Sequence, residues 1–184
     1  MRLRSTLVTA ALLCLTIGLP GSNVLAQQKQ QVSFKVPGGN SKYIVSQNVD
    51  VGDAPNHMLR LFDVHHAVPN NTASINGLKL VEVIARGVGD LTDGHGDGNT
   101  ENASASSNYL VFVADNGDKL FSRNITGTQR VSGKLTATWG GYITGGTGRL
   151  ANIQGTTHLL VNFDPSPGGV VINSQFDIEY SIGR

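Results

Sequence analysis

The chain has 184 residues, with 14 Lys and Arg against 13 Asp and Glu, and a single cysteine. This balance, with no Lys/Arg cluster anywhere, disfavours nucleic acids and other polyanions, which are read by a basic patch. One cysteine excludes an intrachain disulfide and leaves folding to the core.

The first segment reads as a leader peptide. Arg2 and Arg4 precede an apolar run from Leu7 to Leu19, followed by a Pro20-Gly21 break and the small-residue end Val24-Leu25-Ala26. Basic start, apolar middle and small end are what a signal peptidase reads. The run is too short for the roughly 20 residues of a bilayer crossing, so no membrane span is expected. Cleavage after Ala26 predicts a soluble, secreted or periplasmic domain over 27–184. Cys14 lies within the leader, after Leu13, which is too large for a lipidation site, so the mature chain carries no thiol. Loss of Arg2 and Arg4 leaves 12 basic residues against 13 acidic. The mature length suits one domain.

Past the leader, short β-branched or alternating runs are separated by Gly, Asn, Asp and Pro, with no long helical periodicity. Gln31–Val36 and Tyr43–Val51 read as strands around Pro37-Gly38-Gly39-Asn40. Met58–His66 follows, then loops at Pro69-Asn70-Asn71 and Asn76-Gly77. Leu78–Leu91 is the longest strand, ending in the glycine-rich loop 92–99. Asn108–Asp115 and Lys119–Gly127 are joined through Asn116-Gly117, a pair favoured in type I′ hairpins. Lys134–Thr144, His158–Phe163 and Val171–Ile182 complete the set. The expected fold class is all-β, an antiparallel barrel of about eight strands in meander order, with a two-sheet sandwich as competitor.

The segment from Tyr142 to Gly155 contains Gly145-Gly146-Thr147-Gly148, then a short helical turn and a further glycine opening the next strand. Together with the hairpin Asn116-Gly117-Asp118-Lys119-Leu120-Phe121-Ser122-Arg123, it resembles the allene oxide cyclase and dirigent superfamily over roughly Leu78 to Ile182. The resemblance implies an eight-stranded barrel, commonly oligomeric, with a mainly apolar cavity and no metal or organic cofactor. Allene oxide cyclases confine a fatty-acid epoxide during ring closure, and dirigent proteins orient phenoxy radicals or quinone methides. The active-site cysteine of the plant cyclases has no counterpart in the mature chain, so the resemblance carries the fold and not the reaction.

Candidate site residues follow from strand alternation. In Leu78–Leu91 the even positions Leu78, Leu80, Glu82, Ile84, Arg86, Val88 and Asp90 share one face. Turned inward, Glu82 and Arg86 form a charge pair able to polarise a ligand carbonyl or epoxide; turned outward, they form a structural ion pair. Arg123 shares a face with Phe121 and Ile125 and supplies a second cation. Tyr109 shares a face with Val111 and Val113 and offers a hydroxyl, or simply packs. Glu82, Arg86, Tyr109 and Arg123 are therefore the candidate catalytic residues. His65 and His66 point to opposite faces and cannot chelate one metal, although either could serve as a general base. The stretch Asp93-Gly94-His95-Gly96-Asp97-Gly98 departs from a calcium loop at His95 and at Ser104, and reads as a glycine-rich turn. Asn70, Asn102 and Asn124 begin Asn-x-Ser/Thr triplets. No nucleophile elbow, zinc-protease or nucleotide-binding motif occurs.

The expectation is an exported barrel that binds a small, largely apolar, lipid- or phenol-like molecule. If it is an enzyme, it is a cofactor-independent isomerase or cyclase that works by confinement. The alternatives are a carrier without chemistry and a structural envelope protein with a filled interior.

Overall fold

The computed structural model describes residues 28–55, 57–92, 104–131, 134–163 and 171–183. The expected leader with Cys14, the stretch 93–98 with its calcium-like spacing, and Asn102 lie outside these residues.

The fold is all-β. Ten strands follow in chain order: β1 (Gln30–Pro37), β2 (Ser41–Asp50), β3 (His57–Ala67), β4 (Ser74–Ile75), β5 (Leu78–Thr92), β6 (Ser104–Ala114), β7 (Lys119–Val131), β8 (Lys134–Gly146), β9 (Ile153–Phe163) and β10 (Val171–Ile182). Each of the nine runs read from the sequence is a strand, and β4 is an addition. Single 3-10 turns occupy Gly38–Asn40 and Gly148–Leu150. No helix among the described residues is long and apolar enough to cross a membrane.

All pairings are antiparallel, in the order β1-β10-β9-β8-β7-β6-β5-β3-β2, with β4 beside β5. The sheet curls into a half-barrel. β1 and β2 stand at opposite ends of this order, yet only the turn Gly38–Asn40 separates them in sequence. Two contacts bring those ends together: Asn40 Nδ2 donates to the Ala67 carbonyl at 3.1 Å, and His66 on β3 meets Phe176 on β10 edge to face at 5.6 Å.

The inner face is the core, with Leu110, Phe112, Leu120, Leu159, Phe176 and Ile178 fully buried. Phe176 stacks on Phe34 at 5.0 Å and takes Phe112 edge-on at 6.1 Å. A polar girdle crosses this core. Asn108 Nδ2 donates to Thr126 Oγ1 at 2.6 Å, Asn124 Nδ2 donates to Ser122 Oγ at 3.0 Å, and Thr157 Oγ1 donates to Asn124 Oδ1 at 2.8 Å. Two glycines make room for it: a Cβ on Gly87 would lie 2.6 Å from Asn108 Cβ, and one on Gly141 would lie 2.4 Å from Asn124 Oδ1.

One expectation about faces is overturned. The β5–β6 register shifts between Leu80 and Glu82, so Val81 is the extra residue of a β-bulge. Even positions Leu78 and Leu80 point inward before it; afterwards Val83, Ala85 and Gly89 do. Glu82, Arg86, Val88 and Asp90 therefore lie on the outer face, apart from Leu78 and Leu80. A bulge changes parity without changing residue type, and strict alternation has no means of registering it.

Candidate functional site

At the end of the sheet where β3, β6 and β8 begin, the interior opens into a cavity of about 90 Å³. Its lining includes Tyr43, Arg60, Phe62, His66, Trp139 and Phe163. Alternation on β3 sends Arg60, Phe62, Val64 and His66 to the inner face, so an arginine stands on an otherwise apolar stripe. β2 adds Tyr43 to the lining, and a register shift after Tyr43 puts the exposed Ser46 on the same face.

Arg60 is the one permanently charged side chain in this lining. Its guanidinium sits 5.0 Å from the centre of the Tyr43 ring, and Nε and Nη2 donate to Ser46 Oγ at 3.2 and 3.0 Å. Burial pushes the Tyr43 hydroxyl above its usual pKa, and the neighbouring Arg60 charge partly offsets this. The phenol is neutral at physiological pH and the guanidinium charged, a pairing of donors with a desolvated ring.

His66 closes the inner side of the cavity. It is 2% exposed, and loss of solvent, with a smaller push from the His65 charge, lowers its pKa to about 4. It is a neutral imidazole at pH 7, with Nδ1 2.8 Å from Ser41 Oγ. Trp139 lies across from Phe62 at 5.9 Å. Its indole N–H is buried and has no hydrogen-bond partner, as is the case for Asn108 Oδ1 and Ser174 Oγ. A buried donor without an acceptor costs about 1–3 kcal/mol, so such a group marks a place where an acceptor is to be sought.

The four residues chosen from the sequence stand elsewhere. Glu82, Arg86, Tyr109 and Arg123 all occupy the outer face, and none lines the cavity. Glu82 and Arg86 do not pair with each other. Glu82 Oε1 lies 2.7 Å from His65 Nδ1, and Arg86 Nε donates to Asp63 Oδ2 at 2.9 Å. His65 Nε2 stands 3.2 Å from Asp63 Oδ1, an ion-pair distance without hydrogen-bond alignment, since that oxygen has no hydrogen-bond partner. The result is a surface chain Glu82–His65–Asp63–Arg86 over β3 and β5, the structural ion pairing weighed for this face. Arg86, Tyr109 and Arg123 are brought together, in direct cross-strand register.

His57 bridges two more carboxylates on this outer side, with Nδ1 2.5 Å from Asp53 Oδ1 and Nε2 2.8 Å from Asp90 Oδ1. Hydrogen bonds to Asp53 first and Asp90 second raise its pKa above the usual value. His65 and His66 do face opposite sides of β3, one in the surface chain and one in the cavity.

Sequence reasoning passed over Arg60 and Trp139. The signal for Arg60 was present: it alternates with Phe62, Val64 and His66, so an inward-reading face carried one cation. Trp139 is the single tryptophan of the chain. Its position opposite Phe62 depends on the curl of the sheet and has no sequence mark.

Compared with known proteins, the chain matches no protein-family model and no curated protein.

Proposed function

We propose that the protein is an exported barrel that binds a small, largely apolar molecule through an oxygen acceptor, with Arg60 and the Trp139 indole N–H as the anchoring donors. The observation that carries this reading is their combination at one cavity: a partly buried cation and a tryptophan whose indole N–H has no partner, in a lining otherwise rich in aromatic and aliphatic side chains. Apolar walls with a few converging polar groups are the usual make-up of a small-molecule site. The cavity has room for about three waters at roughly 30 Å³ each, so a ligand inserts its polar end and leaves the remainder at the mouth.

The finer fold belongs to the same proposal: the half-barrel closes along β1 and β2 into a barrel of the allene oxide cyclase and dirigent type. The Arg149 amide donates to Asp118 Oδ2 at 2.9 Å and the Lys119 amide to Thr147 Oγ1 at 2.8 Å, which supports that reading, because these bonds join the two motifs that carry the resemblance. Confinement in the cavity would guide an isomerisation or cyclisation, with Arg60 and Trp139 taking the orienting role assigned to Glu82, Arg86, Tyr109 and Arg123 on sequence grounds. A carrier without chemistry uses the same anchors.

One tryptophan makes the test direct. Native mass spectrometry of the protein from its own host would show a co-purifying small molecule, and titration of the stripped protein with it would shift Trp139 fluorescence. Arg60→Gln would weaken that titration about tenfold. An empty protein whose fluorescence ignores a panel of fatty-acid epoxides and phenolics would point to the structural envelope reading. The size of the cavity favours that second reading, since about 90 Å³ is well below the roughly 300–1,000 Å³ of drug-sized clefts.

A further inference from the structure

The outer face carries its side chains in level rows across four strands. In one row Arg86 on β5, Tyr109 on β6, Arg123 on β7 and Tyr142 on β8 stand in register. Two residues along each strand, Val88, Ser107, Ile125 and Gly140 form the next row. Opposed residues of antiparallel strands share a face, and neighbouring strands lie about 4.8 Å apart. Both rows alternate: cation, ring, cation, ring in the first, and large, small, large, small in the second. At 74% Ile125 is the most exposed large apolar side chain among the described residues. The cleft of about 630 Å³ beside it has Ser107 and Gly140 in its lining, and a Cβ on Gly140 would meet nothing within 4 Å. Among the described residues, Tyr109, Arg123 and Tyr142 have no hydrogen-bond, ion-pair or ring partner.

A row that alternates over four places becomes its own complement when turned end for end. Half a turn about an axis parallel to the strands, midway between β6 and β7, lays β6 over β7 of a second copy and β5 over its β8. Large residues then meet small ones. Ile125 enters the space over the partner's Ser107, and Val88 the space over the partner's Gly140. Cations meet rings, with Arg123 facing the partner's Tyr109 and Arg86 the partner's Tyr142, and a guanidinium is attracted to the face of a tyrosine ring. In the row beyond, the cleft's carboxylate Asp90 falls opposite the partner's Thr138 and not opposite another acid.

We propose that the outer face of β5 to β8 pairs with itself in this way, as a two-fold dimer of sheet on sheet. A two-fold interface is isologous, so each of these contacts occurs twice. Sheets packed face to face stand about 10 Å apart with interdigitated side chains, and the alternation of large and small residues provides for that. The matched patch spans about 19 Å across the strands and about 14 Å along them. That is well below the roughly 800 Å² per partner of a standard interface, so the dimer is transient, with a Kd on the order of 10 µM. The pairing uses the opposite side of the sheet from the inner cavity and does not depend on what that cavity holds.

Sedimentation equilibrium of the whole protein over about 1 to 200 µM tests this. A monomer–dimer equilibrium is expected. Ser107→Ile sets isoleucine against isoleucine at both symmetry-related contacts, and Ile125→Ser removes the projecting side chain; each is expected to weaken the dimer about tenfold. Ser107→Ile combined with Ile125→Ser exchanges the two roles and is expected to restore the Kd to within about threefold of the original. A surface that associates only because it is apolar would instead bind more tightly in Ser107→Ile alone. Both positions are exposed, so unchanged circular dichroism and Trp139 fluorescence show that the variants are folded. Arg60→Gln, in the inner cavity, leaves the dimer unchanged. The proposal is overturned by a monomer across the whole range or by a ring of three or more copies. It is equally overturned if the single variants dimerise as the original does, or if the double variant stays as weak as they are.

Discussion

The two ends of the half-barrel solve the problem of buried polar groups in opposite ways. At the end where β5, β7 and β9 begin, the turns are tied together by side-chain hydrogen bonds. Asp118 accepts from Asn116 Nδ2 at 2.8 Å and from the Arg149 amide at 2.9 Å, and Thr147 Oγ1 accepts from the Lys119 amide at 2.8 Å. Arg149 Nη2 donates to the Asn76 carbonyl at 3.1 Å, and the Asn76 amide donates to Tyr180 Oη at 3.0 Å. These bonds tie the β4–β5, β6–β7 and β8–β9 turns to β10. At the cavity end, by contrast, the interior keeps an orphaned indole N–H, a partly buried guanidinium and a histidine held neutral. One end is closed by satisfied hydrogen bonds. At the other an indole N–H stays unsatisfied, and there the interior opens into the cavity.

The sharpest way to break the closed end is at a glycine. Gly155 has φ +148, and a Cβ there would lie 1.9 Å from the Glu179 backbone carbonyl oxygen of the paired strand. Backbone cannot swing aside as a side chain can. Gly155→Ala is expected to cost more than about 3 kcal/mol in urea unfolding, from strain and clash combined. Gly127→Ala, where a Cβ meets nothing within 4 Å, is the matched control and should stay within about 0.5 kcal/mol.

His66 sharpens the comparison through pH. Its pKa is about 4 in the folded chain against the ordinary 6.5 expected on unfolding. Between those values the unfolded chain binds more protons, so stability rises with pH across the window. The contribution is complete above about pH 6.5 and is lost as the pH falls towards 4, on the order of 3 kcal/mol in all. His66→Gln, which cannot titrate, should flatten the unfolding midpoint over that range. The partly buried His57 works in the opposite sense. Its raised folded pKa makes its contribution complete below the unfolded value and lost as pH rises through the folded one.

Trp139→Phe is the mildest probe. It removes the orphaned N–H and some packing volume together, and the two effects oppose one another, so stability should change by less than about 1.5 kcal/mol. A loss above about 3 kcal/mol would mean that the indole N–H has a partner in solution, such as a bound water, and would weaken the case for a ligand acceptor.

Alternation, turn residues and the Asn116-Gly117 pair were enough to place the strands, because each is a local preference that the sheet did not need to override. The glycine motif and the hairpin before it were visible as separate signals. Their joining through Asp118 and Arg149 was not, since it depends on two turns some thirty residues apart meeting in space. The candidate site was less legible. Arg86, Tyr109 and Arg123 were correctly read as strand residues on shared faces, but direction in or out is a property of the sheet and not of a strand. Alternation fixes which residues lie together; only curl and register decide which side is the core. Along β5 a single extra residue at Val81 reversed the parity, exchanging Leu80 for Val83 on the inner face and sending Glu82 and Arg86 to solvent. The sequence alone determined an all-β chain, its strands and its turns, because those are set by neighbours in the chain. The tertiary structure alone decided that Arg60 and Trp139, distant in sequence, share one cavity, because that depends on how the sheet closes on itself.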